Sequence, residues 1–333
     1  FVNILRPLLK YAVTGQVVGL CTLLILATIA AAEQRPLSRN LQNHVEKIVT
    51  EFSPRDYLNP KTLEKLAVFL RDSFSKAGGK ASLQKFKVDK VKYSNVVATF
   101  GPPTKDRIII GAHYDTAGPL PGADDNASGV AGLIELAKLL KDVKLSTRVE
   151  LVAFALEEPP FFASENMGSA FHARSLREQG ASVVGMLSLE MIGYFSSSPN
   201  SQEFPTAELK NSFPSIGNFI GVVGKKGEEE FIHCVSTALR QGESLEVSEY
   251  AGPTDLMEIQ FSDHLSYWRE GFRALMITDT AFLRNKNYHT SEDTPEKLNY
   301  EQMAKVVRGV FDAIISLDKD CSTSRNGLFL SVP

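Results

Sequence analysis

Short apolar runs alternate with helix-patterned segments along most of this chain, and that alternation admits few folds. Ile108–Ile110, Val149–Leu156, Val183–Leu189 and Ala274–Thr278 are short, largely apolar and strand-like. Val130, Leu133, Ile134 and Ala137 mark one face of a helix between the first two. Ser169–Gln179 reads as a second helix, Phe231, Val235 and Leu239 mark a third, and Tyr300–Leu317 forms a fourth. Strands that are apolar on both faces must be covered on both faces, so the pattern predicts an α/β fold with a mainly parallel, mixed sheet sandwiched between helices. Phe219–Val223 adds a strand, Ser82–Val88 and Ser94–Phe100 alternate like two more, and Asn40–Gly78 is helix-patterned around Pro60.

In such sheets, ligands bind beyond the carboxyl ends of the strands. His113, Tyr114 and Asp115 follow the first run, Glu157 and Glu158 the second, and Glu190 ends the third. Pro121-Gly122-Ala123-Asp124-Asp125-Asn126 precedes a helix, and Tyr288-His289 lies in a loop after the last run. Each residue has an ordinary explanation taken alone. A histidine is often just hydrogen-bonded, and Asp124, Asp125 or Asn126 could each cap a helix. Together they crowd carboxylates onto one sheet edge, which is costly unless cations compensate.

Two divalent ions about 3.5–4 Å apart would do so and could clamp both oxygens of a hydrolytic displacement. Asp124 is the expected bridging carboxylate. Of Glu157 and Glu158, one would bind metal while the other faces the water as general base. Asp115, two residues after His113, fits an orienting partner for that imidazole.

The rest of the sequence bounds the setting. With 333 residues, 43% hydrophobic, the chain can bury a real core. A net charge of -3 offers no basic field, which speaks against a nucleic-acid partner. Arg6 and Lys10 precede an uncharged stretch from Tyr11 to Ala32 that ends in three alanines. That order describes a signal peptide or, if uncleaved, a membrane anchor, over residues 1–34. Either implies an exported protein, periplasmic or secreted. A catalytic domain is expected over 35–320 and a tail over 321–333. Of the three cysteines, Cys21 lies in the leader, and Cys234 and Cys321 could pair. Three thiols cannot make a four-thiolate site, so any metal must use histidines and carboxylates.

Six ordered segments carry a resemblance: GAHYDT (Gly111–Thr116), PGADDNASGVAGLIELAKLL (Pro121–Leu140), ALEE (Ala155–Glu158), SLEMIGYF (Ser188–Phe195), FSDHLSYW (Phe261–Trp268) and YHTSEDTPEKL (Tyr288–Leu298). From about Leu41 to Leu317 the chain resembles the zinc metallopeptidase family of bacterial leucyl aminopeptidases, aminopeptidase Y and glutamate carboxypeptidase. The resemblance implies the three-layer zinc exopeptidase fold and two Zn2+ ions, with Mn2+ or Co2+ accepted by the same donors. His113, Asp124 and Glu190 would hold one ion, and Asp124, Glu158 and His289 the other. It further implies Glu157 as general base, Asp115 beside His113, Tyr288 as oxyanion donor and a cis Asp124-Asp125 peptide. Glu190 departs from the Asp found in many members, which lengthens its reach by a methylene.

The resulting expectation is an aminopeptidase acting on a peptide or aminoacyl amide. The alternatives are a glutaminyl cyclase, another amidase or carboxypeptidase, and a non-catalytic receptor-like ectodomain. Asp263 and His264 lie in a family motif, with structural hydrogen bonding equally open. Tyr267 and Trp268 read as packing residues, and His44, His172 and His233 as non-functional. Ser196–Asn218 and Glu243–Gln260 are expected to border the pocket, without a legible shape. The segment 157–162 either walls the pocket or forms a rigid loop.

Overall fold

The computed structural model describes residues 36–241 and 245–323. The leader expected over 1–34 lies outside the described residues, and so does the Cys321 side chain on which the expected pairing depends.

Two helices open the described chain, α1 over residues 36–51 and α2 at Pro60–Lys76. Proline at the first position of α2 suits a helix start, where its missing N–H leaves no bond unmade. Leu63, Leu66, Ala67, Leu70 and Phe74 form the buried face of α2 at helical spacing. The strands are β1 (Lys80–Val88), β2 (Val91–Phe100), β3 (Asp106–His113), β4 (Arg148–Phe154), β5 (Ser182–Glu190), β6 (Ile220–Lys225), β7 (Val247–Gly252) and β8 (Ala274–Thr278). The remaining helices are α3 (Gly129–Leu140), α4 (Gly168–Glu178), α5 (Ala207–Ser212), α6 (Glu229–Arg240), α7 (His264–Arg269) and α8 (Tyr300–Thr323). The last helix thus runs three residues into the segment expected to be a tail.

All eight strands form one sheet in the order β1-β2-β4-β3-β5-β8-β6-β7. The four central strands, β4, β3, β5 and β8, are mutually parallel. Antiparallel pairs join β2 to β4 and β6 to β8. The expected mainly parallel mixed sheet is therefore present, with helices on both faces. Leu275 and Ile277 of β8 pack into the larger core with α3, α6 and α8, whereas Ala274 belongs to a smaller core with Leu176 of α4 and Tyr267 of α7. This alternation along one strand is the pleat pointing successive side chains to opposite layers.

β3 is central, and its neighbours come from different crossovers: β4 follows it through α3, and β5 lies on its other side. The chain changes direction across the sheet there, which opens a crevice at the carboxyl ends of β3, β4 and β5. Away from that edge, Asp318 of α8 ties the sheet to the helical layer. Its carboxylate accepts from Ser146 N at 3.0 Å, Thr147 N at 2.6 Å and Ser146 Oγ at 3.0 Å. We expect Asp318→Ala to lower unfolding free energy by about 1–3 kcal/mol, because the buried Thr147 N–H loses its acceptor. Chemical denaturation would measure it, and metal content should not change.

Candidate metal centre

Every strand end in the crevice delivers an ionisable side chain. β3 ends on His113, and β5 on Glu190. After β4, Leu156 takes a left-handed backbone (φ 64) and turns the chain so that Glu157 and Glu158 follow, both buried. His289, also left-handed (φ 53), comes from the loop after β8. Non-glycine residues seldom adopt this region, and its appearance at two such turns marks backbone held by its surroundings.

The turn Ala123–Ser128 supplies the carboxylate at the middle of the site, and it is Asp125. Asp125 Oδ1 lies 3.2 Å from His113 Nε2, and Oδ2 lies 3.0 Å from His289 Nε2. Glu190 Oε2 is 3.5 Å from the His113 nitrogen, and Glu158 Oε2 is 3.2 Å from the His289 nitrogen. The expectation placed Asp124 in this role, and the geometry corrects it by one residue. Asp124 points the other way, accepting from Gly193 N at 3.0 Å and from Asn285 Nδ2 at 2.8 Å. The backbone explains the difference. Asp125 has φ -102 and ψ 91, outside the helical region, so neighbouring side chains leave on opposite sides. The cis peptide likewise lies one residue later than expected, between Asp125 and Asn126.

A frame of buried polar groups fixes this turn. Backbone N–H groups of Asp124 and Asp125 donate to the Asp293 carboxylate at 2.9 and 3.1 Å. Asn126 Nδ2 donates to Leu189 O at 2.8 Å, and its Oδ1 accepts from Gly129 N and Met191 N, which locks the turn to the end of β5. Arg55, fully buried, donates to the carbonyls of Tyr114, Pro121 and Gly122. Gly122 is left-handed (φ 57), and a Cβ there would run into the Asp125 carbonyl. Of these supporting roles, only the cap that Asn126 gives to α3 was among those the sequence left open. Asp293 lies inside the quoted YHTSEDTPEKL segment, which is the one signal that could have found it.

Asp115 contacts more than the His113 ring. Its carboxylate accepts from Glu157 N and Glu158 N, both at 3.2 Å, and so braces the turn that presents the two glutamates. The atom nearest His113 Nδ1 is the Asp115 backbone carbonyl at 3.3 Å, with the carboxylate at 3.7 Å. Glu190 is held by Ser262 Oγ at 2.8 Å, itself 2.8 Å from Ser188 Oγ. Tyr288 stacks on His289, ring centroids 3.8 Å apart, and both line the cleft with Glu157, Glu158 and Phe162.

Asp263 and His264 are buried beside this group rather than in the cleft, and His264 Nε2 pairs with Ile259 O at 2.7 Å. His172 is buried between Tyr267 and Glu150 in the smaller core, and His233 is on the surface near Glu249. His44 meets Glu135 at 2.9 Å, far along the chain from the crevice residues. The prolines after Glu158 lead into Phe162, which does line the cleft.

The electrostatics are those of crowded, desolvated acids. Burial pushes Glu157 well above the usual carboxylate range, opposed by His113 and reinforced by Glu158 and Glu190. Burial also lifts Glu158 to about 8 and raises Glu190. Asp125 goes the other way: the His113 and His289 imidazoles that face it outweigh its burial and hold it well below its ordinary value. Burial would lower both imidazoles, but the surrounding carboxylates lift His113 well above its usual value and His289 to about 10.

The residues fit a metal centre by a test independent of any resemblance. His113 Nε2, His289 Nε2 and Glu158 Oε1 are buried yet make no hydrogen bond. Buried polar atoms of native proteins normally have partners, so these three are aimed at something else. Ligand atoms of His113, Asp125 and Glu190 lie within 4.8 Å of one another, and so do those of Asp125, Glu158 and His289. A third such grouping joins His113 with Glu157 and Glu158. Nitrogen and carboxylate donors in these sets suit zinc and its first-row neighbours.

Comparison with known proteins gives the family and the fold. Residues 95–314 match the profile of Peptidase family M28. An uncharacterised Escherichia coli K12 protein, YfbL, is 44% identical over 278 residues, covering 81% of this chain and 85% of that one. A probable leucine aminopeptidase of Trichophyton verrucosum is 28% identical over 306 residues, covering 84% of this chain and 71% of its own length. In fold, the LapA aminopeptidase of Legionella pneumophila superposes with a TM-score of 0.69 at 20% identity, covering 88% of this chain and 75% of that one. With an M28 profile over most of the sheet, a relative at this identity and a histidine–carboxylate centre at the crevice, the chain belongs to peptidase family M28 and is a hydrolase of the zinc exopeptidase group.

Proposed function

We propose that the chain is an aminopeptidase that hydrolyses N-terminal peptide bonds with two zinc ions. One observation carries this reading: the two oxygens of Asp125 face two different imidazoles, at 3.2 and 3.0 Å. The donor sets divide around that carboxylate, with His113 and Glu190 on one side and Glu158 and His289 on the other. Bound there, a pair of divalent cations would lower the pKa of a water and polarise the scissile carbonyl.

The chain's own groups would do the rest. Glu157 belongs to neither set that shares Asp125 and lines the same cleft, so its carboxylate is left to take the water's proton and hand it to the departing amine. Its burial makes it a stronger base than a surface carboxylate. Asp115 holds the backbone of Glu157 and fixes the direction of that base. Tyr288 keeps its phenolic proton, because burial and the nearby carboxylates raise its pKa, and its O–H can donate to the tetrahedral oxyanion. We extend the reading to location: the basic-then-apolar order of residues 1–34 supports an exported enzyme.

Two outcomes check this reading. An aminoacyl amide should be cleaved, its N-acetylated form should not, and a chelator should abolish turnover. Hydrolysis of blocked substrates alone would reject the aminopeptidase reading, and conversion of an N-terminal glutaminyl substrate with loss of ammonia would favour a cyclase. Glu157→Gln should leave metal content unchanged and lower kcat by roughly 10²–10⁴-fold with little change in KM. Near-normal kcat in that variant would remove Glu157 from the base role.

A further inference from the structure

The outer half of the β1–β2 hairpin is basic. Lys85 and Lys87 stand on β1, Lys90 in the turn and Lys92 on β2, all exposed, in a chain whose net charge is -3. The acid among them is Asp89, in the turn. Lys87 and Lys92 are direct partners in the register, and Lys85 lies two residues along on the same face. Like charges directly opposite one another destabilise a hairpin. Among the described residues no carboxylate pairs with any of these four lysines. β1 is an edge strand, and lysines on an edge discourage another strand from pairing there. A charge of either sign would serve that purpose, and an acid opposite Lys87 would also have stabilised the hairpin. The repeated positive sign therefore needs a second cause.

The hairpin leaves the body of the sheet at this point. β2 pairs with β4 from Val96 opposite Ala153, next to the carboxyl end of β4. Beyond Val96 and its β1 partner Leu83, the hairpin extends past that end, on the edge that carries the metal centre. Two apolar side chains are exposed there. Val91, at the close of the turn, is 38% exposed, and Leu58, between α1 and α2, is 72% exposed. The Tyr93 hydroxyl donates to the Tyr57 carbonyl at 3.1 Å and ties the hairpin to the segment that carries Leu58. Lys61, exposed in the first turn of α2, adds another cation three residues from Leu58, with the exposed Glu64 on the next turn. One exposed apolar residue is ordinary. Two of them within a field of unpaired lysines form a surface suited to anionic lipid. Apolar tips enter the boundary between headgroups and chains, and ammonium groups meet the phosphates. A soluble polyanion would use the lysines and leave Leu58 and Val91 without a role.

We propose that the hairpin tip and the turn between α1 and α2 form a docking surface for a membrane rich in anionic phospholipid. Lys85, Lys87, Lys90 and Lys92 lie at the headgroups, and Val91 and Leu58 dip below them. The proposal concerns the folded domain and does not depend on the peptidase reading.

The test places the full chain on vesicles of phosphatidylcholine alone and of phosphatidylcholine with about 30% phosphatidylglycerol, and follows flotation and the hydrogen exchange of residues 84–94. The apolar stretch from Tyr11 to Ala32 can hold the chain on either vesicle, so the readout is the ratio of the two affinities and its dependence on salt. Each lysine near an anionic surface is worth roughly fivefold in affinity, so the anionic vesicles should bind about 100-fold or more tightly at low salt. That preference should vanish near about 0.5 M salt, and exchange at the hairpin should slow only on anionic vesicles. Lys85→Glu/Lys87→Glu/Lys92→Glu should bring the ratio close to one. Leu58→Ser/Val91→Ser, which keeps every charge, should weaken binding to anionic vesicles about tenfold and leave the salt dependence in place. Thermal melting checks that each variant is folded. If the triple variant is not, Lys87→Glu alone, which sets opposite charges across the hairpin, should still lower the ratio roughly tenfold. Equal binding to both vesicles, a ratio unchanged by the lysine variants, or no protection of the hairpin would overturn the proposal. Protection of the hairpin by soluble polyphosphate without vesicles, unchanged in Leu58→Ser/Val91→Ser, would overturn it in favour of a free polyanion.

Discussion

Carboxylates buried side by side repel one another, and each loses hydration that no neutral neighbour restores. Asp125, Glu157, Glu158 and Glu190 meet that condition at one sheet edge, against the imidazoles of His113 and His289. A fold that places them there must supply positive charge. Asp125 is the pivot, because its two carboxylate oxygens face the two histidines at 3.2 and 3.0 Å.

The surrounding structure can be understood as what keeps Asp125 between the two rings. Arg55 clamps three carbonyls of the loop leading into the turn, and Asp293 receives the two backbone N–H groups at its start. Asn126 ties its end to β5. Asp124 reaches to the far side, to Asn285 and the Gly193 N–H. Asp115 does the same service for the glutamate pair, and Ser262 for Glu190. The candidate ligands are thus short levers on a stiff frame, as a metal centre would need if its donors are to stay in place through turnover.

Much of this was legible because buried parallel strands leave a strong mark. The apolar runs located the central strands within a few residues, and the positions after them supplied His113, Glu157, Glu158, Glu190 and His289. What failed was whatever depends on a single torsion or on distant partners. Two adjacent aspartates cannot be told apart by spacing, since the choice between Asp124 and Asp125 is made by a non-helical turn. Arg55 lies within the stretch read as helix-patterned, in the break between α1 and α2, and nothing in the spacing there marks it. β7 went unread because an edge strand is half exposed and its burial pattern is weak. The 196–218 insertion looked polar, and its Phe204, Leu209 and Phe213 gain meaning only when folded over β6 and β7.

The most direct measurement is a crystal structure of the purified protein with anomalous scattering recorded at the zinc edge. The account predicts two peaks about 3.5–4 Å apart, one on each side of the Asp125 carboxylate. A single peak away from Asp125, or a peak on the Asp124 carboxylate, would contradict it.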